Sequence, residues 1–98
     1  MSILSSIIDA ILALVKPPLS RSALDSALSQ KAAANPERLD WQNSIVDLMK
    51  LVGMDSSLAA REALAKELGY PGDASGSADM NIWLHQKVME NLSKRFTS

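Results

Sequence analysis

Large apolar side chains recur along this chain at intervals of three and four, the spacing of one helix face. No stretch alternates with period two over strand length, so the pattern predicts helices and no sheet. In residues 3–15, Ile3, Ile7, Ile11 and Leu14 form one stripe, with Leu4, Ile8, Leu12 and Val15 beside it. At about 100° per residue they fill an arc of about 200° and leave Ser5, Asp9, Ala13 and Lys16 opposite. Pro17-Pro18 ends that helix, because a proline pushes the preceding residue out of the α region.

Residues 22–34 predict a weaker helix, marginal and mobile, with Ser22 and Asp25 in capping-box-like spacing and only Leu24 and Leu28 as large apolar groups. The strongest pattern is "LDWQNSIVDLMKLVG". Asp40 suits the N-cap, Gly53 suits the left-handed position past the last turn, and Trp41, Ile45, Leu48, Met49 and Val52 share about 100° of surface. Asp55 or Ser56 then caps "SLAAREALAKEL", which Gly69 ends, with Ala60, Leu64 and Leu68 as a stripe that lets a neighbour approach closely. "GYPGDASGSAD" reads as a loop, and Ser77 or Asp79 starts a last helix reaching about Arg95. The expectation is an all-α fold of five helices. Residues 1–16 form an amphipathic helix, 17–39 a linker with a weak helix, and 40–98 a compact helical domain.

With 98 residues, 47% of them apolar, the chain has material for one small domain with a single core. Net charge is −1, and the densest basic pair is Lys94-Arg95, so a nucleic-acid binder is not expected. The absence of cysteine excludes disulfides, thiolate metal sites and cysteine nucleophiles, and it fits a cytoplasmic setting. The N-terminal stretch lacks a basic leader, and Asp9 interrupts it. As a helix it reaches about 20 Å, short of the ~30 Å hydrocarbon core, so it does not span a membrane.

Candidate chemistry is sparse. On the last helix His85 falls about 100° from Leu84, inside an apolar arc that also takes in Met80, Val88, Leu92, Met89 and Ile82. It reads as a core-edge imidazole, and a single histidine cannot form a histidine-pair metal site. Trp83 falls on the polar flank beside Lys87 and Glu90. It is either covered by the N-terminal helices or an exposed anchor of the kind enriched in interfaces. Trp41 reads as core. "DASGSAD" hints at a calcium loop, but Ala78 and Leu84 stand where glycine and glutamate are needed. "GMDSSLAARE" resembles the attachment site of acyl carrier proteins, with an extra serine between Ser56 and Leu58. A helix-turn-helix over 45–66 would offer DNA only Arg61 and Lys66, and Arg61 is equally placed to pair with Asp55 or Asp73. No G-x-S-x-G occurs, and no cofactor is expected.

The N-terminal helix carries the most functional content. Its aliphatic side chains need cover worth about 1.5–3 kcal/mol each, and a helix this short does not stand alone in water. It docks on its own domain, lies in a membrane interface, or pairs with other copies. The expected contact residues are Ile3, Leu4, Ile7, Ile8, Ile11, Leu12 and Val15, with Trp83. The expected role is a non-catalytic interaction or structural domain whose partner is another copy, another protein or a membrane surface. The alternative is a small carrier or enzyme using Ser56 or His85.

The strings "LDW", "SIVDLMK", "DSSLAAR", "LAKELGY" and "MNIWLH" together resemble a bacterial family of small helical proteins classed as a domain of unknown function, over about residues 39–92. The start "MSIL" is similar to that family's short N-terminal helix. The resemblance implies a five-helix domain with a flexible connection after the first helix, and it carries over no reaction, cofactor or catalytic residue. Family members have a longer alanine/proline-rich tract there, whereas this chain has only "KPPLSR". A docked or ordered first helix follows more readily from that short link.

Overall fold

A serine stands at the start of each helix in the computed structural model, which describes residues 2–13, 20–72 and 77–94. The five described helices are α1 (Ile3–Leu12), α2 (Arg21–Ala33), α3 (Ile45–Leu51), α4 (Leu58–Leu68) and α5 (Ala78–Lys94), and no strand occurs among the described residues. The hydroxyl oxygens of Ser2, Ser20, Ser44, Ser57 and Ser77 each accept the backbone N–H three residues on, at 2.9–3.3 Å. Each bond satisfies one of the donors that a helix start leaves free.

These caps shift three expected boundaries. α2 is capped by Ser20 rather than Ser22, and α4 by Ser57 rather than Asp55 or Ser56. α3 is capped by Ser44, about one turn later than Asp40 predicts. Asp40 instead closes a turn: its carbonyl accepts Ser44 N–H at 2.9 Å, and its own N–H donates to Asp47 Oδ2 at 2.8 Å. Ser44 caps α3 through its hydroxyl, while the Asp47 carboxylate reaches past it to the N–H of Asp40.

Both glycine stops stand, while the Pro17-Pro18 stop lies outside the described residues. Gly53 and Gly69 have φ of 75° and 78°, and the N–H groups of Met54 and Tyr70 close onto the carbonyls of Met49 and Ala65, each at 2.9 Å. A glycine takes this left-handed conformation without a Cβ penalty.

α5 lies at the centre and packs against α1, α3 and α4; α1 also packs on α4, and α2 on α3. The molecule is a slab of 38 × 35 × 21 Å, about two helices thick. Its single core takes Ile7, Ile8 and Ile11 from α1, Leu24 and Leu28 from α2, and Leu48, Leu64, Leu84 and Leu92 from the later helices. The core therefore draws on residues before 40 as well as after, Leu24 and Leu28 of α2 among them.

Candidate functional site

The N-terminal helix is seated on its own domain. The Glu67 carboxylate, from the last turn of α4, accepts Ile3 N–H at 2.8 Å through Oε1 and Leu4 N–H at 2.9 Å through Oε2. Ser2 takes Ser5 N–H at 2.9 Å. Three orphan donors of α1 are thereby bonded, two of them by an anion at the positive end of the helix dipole. Along the same helix Ile7, Ile8 and Ile11 are at most 1% exposed, while Asp9 faces solvent.

The contact residues expected on α1 therefore divide. Ile7, Ile8 and Ile11 belong to the core, and Ile3, Leu4 and Leu12 are half-buried against it. Val15 lies outside the described residues. Of the three settings expected for α1, the structure has it docked on its own domain, where it packs against α4 and α5. No helix of the described residues is long and apolar enough to cross a membrane.

Trp83 is half-buried, and its cover comes from an unexpected quarter. The Tyr70 ring lies 5.1 Å from it at a 60° tilt, and Lys87 Nζ lies 5.5 Å from its centroid. Lys87 is also 3.6 Å from Glu90. The turn at Gly69 aims Tyr70 at α5, so an aromatic outside the helical repeat completes the cluster. The periodicity of α5 alone contains no sign of it.

The residues with chemical potential are tied into the fold. His85, 8% exposed, donates from Nε2 to the Trp41 carbonyl at 2.8 Å, joining α5 to the turn that precedes α3. Trp41 is core, as its position predicts. Arg61 donates from Nε to the Ser56 carbonyl at 3.1 Å and from Nη1 to Asn81 Oδ1 at 2.9 Å. Its partners are thus a carbonyl and an amide rather than Asp55, and Asp73 is outside the described residues. Asp55 instead accepts Ser57 N–H at 2.9 Å, and the Ser57 N–H and hydroxyl hold its carboxyl below the ordinary aspartate range. Ser56, half-buried, precedes the cap and supplies the carbonyl that Arg61 uses. Among the described residues no buried side-chain nitrogen or oxygen lacks a partner, and no three acidic or histidine side chains are placed to hold a metal ion.

Two features escape sequence reasoning. Ile82, placed on the apolar arc by its angle, is 54% exposed, and Leu58 is 43% exposed. The buried arc of α5 runs from Met80 to His85, narrower than predicted, and Ile82 lies past its edge. Leu58 lies on α4 and Ile82 on α5, the two helices that the Arg61–Asn81 bond ties together. Elsewhere an open hollow of about 500 Å³ separates the C-terminal ends of α2 and α3, lined by Lys31, Asn35, Pro36, Lys50 and Val52. Its lysines stand where helix carbonyl ends favour cations, and Lys50 is 3.8 Å from Glu37.

Comparison with known proteins follows the same lines. A model of the family described as "Domain of unknown function (DUF3597)" matches residues 3–96. The solution structure of a conserved unknown protein from Rhodopseudomonas palustris is similar over 100% of this chain and 95% of that one, with 38% identity and a TM-score of 0.73. Among curated proteins nothing matches.

Proposed function

We propose that this chain, which belongs to the DUF3597 family of proteins of unknown function, works by binding a protein partner rather than by catalysis. One observation carries the reading: the His85 and Arg61 side chains are engaged in holding the fold, while Leu58 and Ile82 stand exposed. A buried imidazole bonded to a backbone carbonyl has no access to substrate, and an arginine that clamps two helices is not free to bind an anion. The exposed apolar side chains on the two helices that this arginine–amide pair joins are instead available to a partner. A cytoplasmic setting fits the cysteine-free chain. Attachment to a membrane through α1 is disfavoured, since its isoleucines would have to leave the core.

The test has two arms. Intact mass of natively purified protein is expected to equal the sequence mass; an added group on Ser56 would establish the carrier alternative instead. Crosslinked complexes of the full chain are then compared with those of Leu58→Ser/Ile82→Ser. The expected result is a discrete complex that the double variant loses while its circular dichroism and Tm are unchanged. Equal crosslinking by both proteins would remove Leu58 and Ile82 from the proposal.

A further inference from the structure

We infer that α2 is a detachable strap: it opens from the fold as a unit, hinged at Arg38, and uncovers the face of α3 beneath it while α1, α3, α4 and α5 stay packed. Side-chain hydrogen bonds knit those four helices into one circuit. Glu67 of α4 holds the first amides of α1, and Arg61 of α4 holds Asn81 of α5. His85 of α5 in turn holds the Trp41 carbonyl, in the turn that leads into α3. α2 packs on α3 and lies outside that circuit.

The seam between α2 and α3 is thin. Leu24 and Leu28 are the buried large side chains of a helix of 13 residues, whereas α1 buries Ile7, Ile8 and Ile11 in 10. At their C-terminal ends the two helices are parted by the open hollow of about 500 Å³. Beside it Lys50 reaches Glu37 at 3.8 Å with both side chains exposed, an ion pair of the kind that adds little. A segment with so few buried apolar contacts opens at a lower free energy than the fold as a whole.

The strap also has a defined edge. Past α2 the chain turns through Arg38, a non-glycine residue in the left-handed region with φ of 51°, and enters the core at Leu39 and Trp41. His85 pins Trp41 there. Opening therefore ends at the turn, and it releases the backbone strain held at Arg38.

The experiment is native-state hydrogen exchange on the full chain, followed by NMR at low urea concentrations. The α2 amides are expected to be protected at least about tenfold less than the slowest amides of α5. They are also expected to share one opening, with a weaker urea dependence than global unfolding, because it exposes less surface. Glu67→Ala separates the two events, since it weakens a seat that stays closed when α2 opens. It is expected to lower protection of the slowest α5 amides about fivefold, as for a lost N-cap, and to leave that of α2 unchanged. Gln30→Gly, at an exposed position of α2, is expected to lower α2 protection about three- to fivefold. Parallel loss in α2 and α5 on Glu67→Ala, or α2 amides that exchange only with global unfolding, overturns the proposal.

Discussion

Glu67 and Ile3 are the pair that fixes the orientation of the N-terminal helix: a carboxylate oxygen at the end of α4 accepts the first amide of α1 at 2.8 Å. The second oxygen takes Leu4 N–H, so one side chain caps a helix to which it does not belong. Replacing it by alanine is expected to cost about 1 kcal/mol, as for loss of an N-cap, and to lower Tm by about 4–8 °C. Glu67→Gln retains one acceptor and is expected to fall between the two. Thermal unfolding measures both, and hydrogen exchange is expected to report the loss first at the amides of α1.

The bond from His85 to the Trp41 carbonyl makes a second prediction. His85→Leu preserves apolar bulk but leaves a buried carbonyl without its donor, at an expected cost of about 1–3 kcal/mol. His85→Gln keeps an N–H donor and is expected to recover part of that loss. Urea unfolding followed by tryptophan fluorescence distinguishes the two variants. Equal stability of His85→Leu and the parent would show the bond to be dispensable.

Asp55 supplies a pH dependence of known sign. Its carboxyl is held below the ordinary aspartate range by the Ser57 N–H and hydroxyl, so its folded value lies below its unfolded one. The stability it contributes is in full force above the unfolded value and disappears as pH falls through the folded one. An NMR titration of the Asp55 side chain is expected to find its midpoint depressed. Ser57→Ala is expected to return that midpoint toward the ordinary range while weakening the start of α4.

Arg38 and Gly53 share the left-handed backbone region, with φ of 51° and 75°. Gly53→Ala meets no atom within 4 Å, so its expected cost of about 1–2 kcal/mol is conformational. Arg38→Gly is the mirror case at an exposed position. It relieves the same strain but frees the unfolded chain, and the expected net change is a gain below about 1 kcal/mol. Denaturant midpoints of the two variants are expected to move in opposite directions.

The helices were legible because their apolar faces repeat strictly: Ile7 and Ile11, Leu24 and Leu28, and Leu84, Val88 and Leu92 are all core. Their boundaries were less so, since several serines and aspartates compete for each cap and only the folded turn decides among them. The seat of α1 was not readable at all. Glu67 looks like any exposed acidic residue on a charged helix until α1 is laid across it. The same holds for Tyr70, which reads as a loop residue and becomes the cover of Trp83. Ile82 shows the converse failure, because an angular arc says where apolar residues could be buried and not where the neighbouring helix stops.

The distance in sequence between α1 and Glu67 also orders events at the ribosome. α1 is synthesised before α4 and α5, so its isoleucines leave the exit tunnel with no seat yet made. At about 5–20 residues per second the wait lasts several seconds. During that time a short apolar helix is available to chaperones and to neighbouring nascent chains, and the fold is sealed when its earliest segment meets its latest.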